Sequence, residues 1–347
     1  MTTQPIGPED RTGLRAWVAG LPKVELHVHL VGSASVPTVL ELARRHPDGG
    51  VPTDESALRS FYEFRDFAHF IEIYIAVNSL VRTADDVAAL TVGVARDLAS
   101  QNVRYAELTV TPDSHLLMGI DPSEVAGALS AGRQQAQRDH GVLLNFVYDI
   151  PGELGLESGL RTIDWVERHA PVGSVGFGLG GPEQGVGRPQ FADVFARARA
   201  LGLASLPHAG ETTGPETIWD SLRHLGAQRI GHGISAAQDP ALLAHLADHR
   251  IPLEVCPTSN IRTKAVASMD QHPMPDLMAA GVVVTLNTDD PGMFGTSLNR
   301  EYENAHDVFG FGRVVLAGLV RTAVAVSYAD DATKRRLDAE VAAYTEM

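Results

Sequence analysis

The sequence predicts an α/β protein with the fold of a (β/α)8 barrel, or TIM barrel. Three observations support this prediction: eight short apolar segments, helical patterns between most of them, and polar clusters where several of these segments end. A doubly wound open sheet is the main alternative, although it usually has fewer strands and a glycine-rich phosphate loop after the first strand. Here the first strand runs into His27-Val28-His29-Leu30-Val31-Gly32, which cannot cradle a phosphate.

The predicted strands are short apolar runs rich in β-branched residues, and the predicted helices are the segments between them that are rich in Ala, Arg and Glu. Strands are expected at residues 24–30, 103–110, 143–150, 174–179, 204–209, 229–233, 252–256 and 282–287. Helices are expected at residues 83–100, 122–140, 160–169, 191–201, 240–249 and 274–280. A minimal barrel needs about 250 residues, so the long stretch 32–102 predicts a helical insertion after the first strand. We expect a single domain over residues 1–347, with residues 1–20 as a flexible or peripheral N-terminal segment.

An aromatic stripe lies inside this insertion. Phe61, Phe64, Phe67, Phe70 and Tyr74 recur at spacings of three and four residues, as on one face of a helix. The rings could simply pack against the barrel, or they could form a hydrophobic lid over its mouth, and both can hold for different rings. Phe61 and Phe64 are the candidate substrate contacts.

Composition excludes several classes of partner. A formal net charge of -15 argues against nucleic acid, which needs clustered Lys and Arg, and against an anionic membrane surface. The single cysteine, Cys256, excludes an internal disulfide and is compatible with a reducing cytosol. The first 19 residues lack the pattern of a signal peptide, and no apolar run is long enough for a transmembrane helix. We expect a cytoplasmic protein, and its oligomeric state is not predicted.

Potential metal ligands stand where the predicted strands end. His27 and His29 alternate with apolar residues and therefore lie on one face of the first strand, where two imidazoles can share one ion. His208, His232 and Asp289 follow at the ends of strands five, six and eight. Each alone has a structural explanation, such as a buried histidine, a turn residue or a helix N-cap. Together they mark the rim that carries catalysis in barrels of this class.

Three neutral imidazoles and one carboxylate among these residues suit zinc with a position left open for water. Strand four offers only Gly178 to Gly181, without a lysine or carboxylate that could bridge two ions, so one zinc per chain is favoured. Bound zinc lowers the pKa of water and so provides a hydroxide nucleophile. His232 could orient that hydroxide, and Glu211, three residues after His208, could carry a proton.

Five segments of the chain resemble the adenosine deaminase family, a branch of the amidohydrolase superfamily. These segments are PKVELHVHL, HAGE, RIGHG, VCPTSN and NTDDP, and the similarity extends from about Leu21 to beyond Asp290. The resemblance implies a (β/α)8 barrel with one zinc ion that replaces the 6-amino group of an adenine compound by hydrolysis. Its substrate would be a small adenine nucleoside together with water.

Site residues follow from the resemblance by motif position. It implies that zinc is bound by His27, His29, His208 and Asp289. It also implies that Glu211 protonates ring N1, that His232 is the hydroxide-orienting base, and that Asp290 and the backbone N–H of Gly181 contact N7 and N3. N1 must accept a proton before C6 becomes a good electrophile, so Glu211 needs a raised pKa. Asp290 must likewise carry a proton to donate to N7.

The chain departs from the family pattern at Val31. Adenosine deaminases have an aspartate here that holds the ribose 5′-hydroxyl, and adenine deaminases tend to have a glutamate, whereas this chain has Leu30-Val31-Gly32. This resembles the branch that deaminates 6-aminodeoxyfutalosine, a menaquinone precursor with an aryl ketone chain in place of the 5′-hydroxyl. We expect Val31 to extend the zinc-facing side of strand one towards that chain. Arg65 is a candidate partner for a distal carboxylate, although a solvated helix face is the usual place for such an arginine.

Other functions remain open on these grounds. The chain could be an adenosine deaminase with a relaxed ribose pocket or a 5′-methylthioadenosine deaminase. It could also be a purine-binding relative without catalysis, which the presence of every ligand, the acid and the base makes the weakest alternative. After strand four, the family sequence Asp-Leu-Ala-Gly-Asp-Glu is replaced by residues 178–183, Gly-Leu-Gly-Gly-Pro-Glu, so Gly181 is kept while nearby polar contacts are reduced.

Overall fold

Short parallel strands alternate with helices in the computed structural model, which describes residues 11–346. The strands form two sheets with the orders β1-β2-β3-β4-β5 and β6-β7-β8-β9, and every pairing is parallel. They are β1 (Lys23–His29), β2 (Val103–Val110), β3 (Leu143–Pro151), β4 (Ser174–Gly180), β5 (Ala204–Ser205), β6 (His208–Ala209), β7 (Ile230–His232), β8 (Leu253–Val255) and β9 (Val284–Leu286).

The two sheets join into a closed barrel at two seams. At the first seam, the predicted fifth strand is divided into β5 and β6, since Pro207 has no N–H to donate to a ladder. The backbone N–H of Leu206 still bonds to Phe177 O at 2.9 Å, and that of Gly231 to Pro207 O at 3.0 Å. At the second seam, β1 pairs with the residues after β9 through a bridge between Val28 and Asp289. The (β/α)8 prediction is confirmed, with its fifth strand interrupted.

The α-helices surround this barrel and alternate with its strands. They are α1 (Arg11–Gly20), α2 (Val36–Arg45), α3 (Glu55–Phe61), α4 (Phe67–Asn78), α5 (Ala84–Ala99), α6 (Pro112–Leu117), α7 (Pro122–Gln135), α8 (Gly155–His169), α9 (Ala192–Ala200), α10 (Pro215–Asp220), α11 (Pro240–Asp248), α12 (Pro257–Arg262), α13 (Met274–Ala279), α14 (Pro291–Phe294), α15 (Leu298–Phe309), α16 (Arg313–Val326) and α17 (Asp331–Thr345). Short 3-10 or π turns extend or precede several of them.

The predicted insertion between β1 and β2 is present and contains α2, α3 and α4 ahead of α5. The prediction that its aromatic stripe lies on a single helix is wrong, because α3 ends at Phe61 and α4 begins at Phe67. The reason is the N-cap of α4: the Asp66 carboxylate accepts a hydrogen bond from the backbone N–H of His69 at 2.9 Å, which starts a new helix. Only Phe67, Phe70 and Tyr74 share α4.

The N-terminal segment divides into two parts. Residues 1–10 lie outside the described residues, whereas residues 11–20 form α1. Leu14 and Val18, one helical turn apart, are buried, so this part of the predicted peripheral segment packs against the protein. One cluster of buried apolar side chains runs from Leu14 to Val341 in α17. Within residues 11–346, no helix combines the length and the apolar character needed to cross a membrane.

A buried ion cluster ties β2, β7 and β8 together inside the barrel. The guanidinium of Arg229, directly before β7, is 1% exposed and bonds to the carboxylates of Glu107 and Glu254. It also donates to the carbonyl oxygen of Val326 at 3.0 Å, and Glu107 accepts from the backbone N–H of Tyr328 at 2.6 Å. The cluster therefore fixes the chain after α16 to the strands.

Replacing Arg229 by alanine is expected to destabilise the protein by about 3–5 kcal/mol, because two buried carboxylates would lose their shared cation. Urea unfolding followed by circular dichroism measures this change. Arg336→Ala is the matched control, since its pair with Glu340 is half-exposed and such pairs contribute about 0–1 kcal/mol. Equal unfolding midpoints for the two variants would contradict the importance of the cluster.

Candidate active site

A cavity opens at the carboxyl ends of the strands, where barrels of this class carry their sites. One wall is the face of α4 that carries Phe67, Phe70, Ile71, Tyr74 and Ile75. The opposite wall holds the predicted polar residues, which are His29, Gly181, His208, Glu211, His232, Asp289 and Asp290. The aromatic insertion and the barrel rim therefore face each other across one cavity.

Four predicted ligands converge below this cavity. Nε2 of His29 lies 3.1 Å from Asp289 Oδ1 and 3.2 Å from His208 Nε2, and Nε2 of His27 lies 3.3 Å from the same carboxylate oxygen. His27 Nε2 is buried and has no hydrogen-bond partner in the described part of the chain. Nitrogen and oxygen donors that meet in this way fit a metal ion, and imidazole with carboxylate suits zinc.

Backbone pairing at the barrel seam brings these ligands together. The N–H of Asp289 bonds to His27 O at 2.9 Å, and the N–H of His29 bonds to Asp289 O at 2.9 Å. Asp289 has φ +68° and His232 has φ +59°, a left-handed conformation that is uncommon outside glycine. Such backbone persists only where its surroundings hold it, and it is concentrated at functional sites.

Further contacts orient two of the imidazoles. His27 Nδ1 lies 2.8 Å from Glu254 Oε2, and His208 Nδ1 lies 3.0 Å from Leu179 O. In each ring the Nδ1 proton can then point at this oxygen. The lone pair of Nε2 remains free for a metal ion on the side of the other candidate ligands. Because Glu254 also binds Arg229, the buried ion cluster of the barrel extends to His27, one of the candidate metal ligands.

Glu211 and His232 lie side by side above the ligands. Nε2 of His232 is 3.6 Å from Glu211 Oε2 and 3.9 Å from Asp289 Oδ2. The amide of Asn260 lies 3.2 Å from His232 Nδ1, and the hydroxyl of Thr263 donates to Glu211 Oε1 at 3.0 Å. His232 is also close enough to His27, His208 and Asp289 to share an ion with them.

The loop that carries Glu211 is held by Glu183, which is 3% exposed. Its carboxylate accepts four backbone N–H bonds, from Gly210 at 2.7 Å, Glu211 at 2.9 Å, Thr212 at 2.6 Å and Thr213 at 3.2 Å. Arg188 pairs with Glu183 at 3.0 Å and donates to His208 O at 3.0 Å. These contacts fix Glu211 and His208 relative to each other, because Glu183 binds the loop after β6 and its partner Arg188 binds the carbonyl oxygen of His208.

The local environment separates the protonation states of the carboxyls. Burial, together with the nearby carboxylates of Asp289 and Glu183, raises the pKa of Glu211 to about 8. Burial and Asp289 also raise the pKa of Asp290 well above its usual range. Burial lowers the pKa of His232 to about 3, so its ring is neutral. Glu211 and Asp290 therefore keep protons that they can donate near neutral pH, whereas the ring of His232 stays neutral.

Val31 does not line the cavity. The expected extension of strand one towards the substrate does not occur, because β1 ends at His29 and the chain turns, with Ser33 N–H bonded to His29 O at 3.0 Å. Val31 is 4% exposed within the apolar core. Gly32 in this turn lies against Asp290: a Cβ at Gly32 would be 1.7 Å from Asp290 Oδ1.

Phe61 and Phe64 also lie outside the cavity lining, because the break between α3 and α4 turns them away. Phe64 packs against Phe70 at 5.3 Å and Phe294 at 5.9 Å between ring centroids. Phe64 therefore packs against other aromatic rings, whereas Phe67, Phe70 and Tyr74 of the same stripe line the cavity. Arg65 is exposed and does not line the cavity.

Sequence reasoning missed Asp149, at the end of β3. It is 2% exposed, lines the cavity, and lies near the donor atoms of His29 and His208. β4 itself has no carboxylate at its end, as the sequence predicts. However, Asp149 on β3 is the register partner of Gly178 and places its carboxyl beside the end of β4. A polar residue at the end of a buried strand was the available signal.

Sequence reasoning also missed three residues that lie in β8 or shortly after it. Glu254 holds His27, Asn260 contacts His232, and the hydroxyl of Ser259 donates to Asp289 Oδ2 at 2.6 Å. They belong to or directly precede the segment VCPTSN, which had been noted only for its resemblance. Two of the three follow β8 at its carboxyl end, the place where barrel strands present functional side chains.

Comparisons with known proteins agree with this geometry. The family model for adenosine deaminase matches residues 22–344. The aminodeoxyfutalosine deaminase of Streptomyces avermitilis is 56% identical over 334 residues, which cover 96% of this chain and 93% of that protein. The structure of adenine deaminase from Arthrobacter aurescens is 30% identical with a TM-score of 0.90, covering 94% of this chain and 100% of that one. An amidohydrolase from B. ambifaria with bound Zn is 26% identical with a TM-score of 0.88, covering 98% of this chain and 96% of that one.

The family match extends over nearly the whole chain, and the histidine and aspartate cluster provides a metal site at the barrel rim. A closely similar deaminase covers the same extent of sequence. The chain is therefore a hydrolytic deaminase and belongs to the adenosine deaminase family.

Proposed function

We propose that this protein is a zinc-dependent aminohydrolase that converts 6-aminodeoxyfutalosine to futalosine in menaquinone biosynthesis. The observation that carries the choice of substrate is the apolar face of α4 across the cavity, with Phe67, Ile71 and Ile75 one helical turn apart. It offers contact to an aryl chain rather than to a 5′-hydroxyl. The 56% identity to an aminodeoxyfutalosine deaminase supports the same substrate.

His27, His29, His208 and Asp289 would hold the zinc ion, which when bound would supply water that ionises near neutral pH. Glu211 gives its proton to ring N1, and this makes C6 electrophilic. His232 accepts a proton from the water whose oxygen adds to C6. The 6-amino group then takes the proton held by His232, and the C6–N bond breaks to release ammonia. The hydroxyl proton on C6 passes to Glu211, so that the product has a carbonyl at C6 and keeps the proton on N1.

Two further groups would orient the purine. Asp290, which keeps its proton because of burial and the adjacent Asp289, can donate to N7. Gly181, with φ +81°, lines the opposite side of the cavity, where its N–H can reach N3. A base held at N1, N3 and N7 presents C6 to the water in one orientation, which is the positional advantage that enzymes exploit.

The cavity lining also suits the distal part of such a substrate. It includes Asn78, Thr111 and Ser114, which are neutral hydrogen-bonding residues. Within residues 11–346, no lysine or arginine lines this cavity. A carboxylate on the aryl ring would therefore be held by neutral hydroxyl and amide donors.

One zinc ion per chain is expected in the active protein, and chelation should abolish activity until zinc is returned. Elemental analysis of the purified enzyme, together with activity at increasing zinc, measures this stoichiometry. Two ions per active chain would contradict the single-zinc proposal.

Glu211→Gln is expected to lower kcat by about 10²–10⁴-fold, because an amide cannot deliver a proton to N1. The wild-type rate should fall as pH rises through about 8, where Glu211 loses the proton that its raised pKa retains at lower pH. In the variant this alkaline decline should be absent, while zinc content stays at the wild-type value. A kcat above about a tenth of wild type would assign the N1 proton to another residue.

The wild-type enzyme should use 6-aminodeoxyfutalosine at least about tenfold better than adenosine or adenine, judged by kcat/KM. The physical reason is burial of the aryl chain against α4, which neither smaller substrate can match. Production of ammonia from the three compounds, measured side by side, tests this. A tenfold preference for adenosine over every 5′-modified nucleoside would overturn the substrate while leaving the deaminase assignment intact.

Ile71→Ala sharpens the same experiment. Loss of about three buried carbons should lower kcat/KM for the aryl substrate roughly 10- to 50-fold and leave adenosine nearly unchanged. Leu201→Ala is the matched control, because Leu201 is 49% exposed and lies outside the cavity lining. Equal losses on both substrates would mean that α4 does not contact the 5′ substituent.

A further inference from the structure

Asp149 is a buried carboxyl whose oxygens have no hydrogen-bond partner in the described part of the chain. Its exposed fraction is 2%, and what remains exposed faces the active-site cavity. Burying a carboxyl without donors costs free energy that an apolar residue would not. Packing therefore does not account for an aspartate here, and the reaction steps above do not use it.

The carboxyl of Asp149 lies where side chains of the neighbouring strand β4 would lie if its residues 178 and 180 were not glycines. Asp149 on β3 and Gly178 on β4 are register partners. A Cβ on Gly178 would lie 1.9 Å from Asp149 Oδ1, and a Cβ on Gly180 would lie 2.6 Å from Oδ2. The Asp149 carboxyl can therefore lie beside β4 only because positions 178 and 180 are glycines. It occupies the space that a side chain at position 178 would fill.

The carboxyl points at a metal ligand. Asp149 Oδ2 lies 3.5 Å from His208 Nδ1, the nitrogen that also lies 3.0 Å from Leu179 O. One oxygen of Asp149 and one nitrogen each of His29 and His208 lie within 4.8 Å of one another. Carboxylates beside the outer nitrogen of a ligating imidazole fix its orientation and strengthen it as a ligand.

We propose that Asp149 is a positioning residue of the metal site, which supplies from β3 the carboxylate that β4 lacks. Through the outer nitrogen of His208 it keeps Nε2 directed at the other ligands. This inference depends on the metal site and not on the identity of the substrate, so it is tested by metal binding alone.

The first test is the affinity of the apo-protein for Zn²⁺, measured by competition with a chromophoric chelator. Asp149→Asn should weaken Zn²⁺ binding about 10- to 100-fold. The metal-free variant should unfold at the same or a higher urea concentration than metal-free wild type, because a buried carboxyl without donors has been removed. Asp86→Asn is the control, because Asp86 is a buried carboxyl in the first turn of α5 that does not line the cavity, and this variant should bind Zn²⁺ as wild type does.

The second test returns the carboxylate from the other strand. Asp149→Ala should weaken Zn²⁺ binding, and the double variant D149A/G178D should recover at least about tenfold of that loss. D149A/G178N, which places an amide in the same space, should not recover it. This comparison decides the proposal even if Asp149→Asn does not fold.

Two results would overturn the proposal. One is a D149A/G178D variant that binds Zn²⁺ no better than D149A. The other is wild-type Zn²⁺ affinity in Asp149→Asn together with reduced turnover, which would make Asp149 a substrate contact.

Discussion

The active site depends on two backbone hydrogen bonds that close the barrel between β1 and Asp289. They join the first strand to the segment after the last one, and three of the proposed metal ligands, His27, His29 and Asp289, belong to these paired residues. Closure and ligand assembly are therefore one event, since neither His27 nor His29 can meet Asp289 in an open sheet. The left-handed backbone of Asp289 is tolerated because pairing on both sides holds it.

Adjacent carboxyls at this seam acquire opposite protonation states. Hydrogen bonds from His27 and His29 outweigh burial and hold the pKa of Asp289 well below its usual range, so that it stays anionic. That negative charge, added to burial, raises the pKa of both Asp290 and Glu211. Burial and the charge of Asp289 together thus favour the protonated forms of Glu211 and Asp290.

Features set by local periodicity could be predicted from the sequence. The alternation around His27 and His29 predicted the strand and the face that the two imidazoles share, because strand side chains alternate with a period of two. The prediction that Val31 faces the substrate was wrong, because the two-residue alternation holds only within the strand and the chain turns after His29. The prediction that Phe64 contacts the substrate was wrong, because a new helix starts at Asp66 and interrupts the expected aromatic stripe. Asp149 could not be placed, since its position depends on a glycine of another strand and on barrel register.

The arrangement separates chemistry from substrate choice. The proposed ligands, acid and base lie at the barrel rim. There Glu183 binds the loop after β6, and the backbone pairing with Asp289 holds His27 and His29. The wall that would contact the 5′ substituent is α4, part of an insertion that contributes neither ligand nor proton donor. Changes on the exposed face of Ile71 or Ile75 can therefore alter which nucleoside fits without moving a metal ligand. Fold and reaction class follow from the barrel, whereas the substrate follows from the side chains grafted onto it.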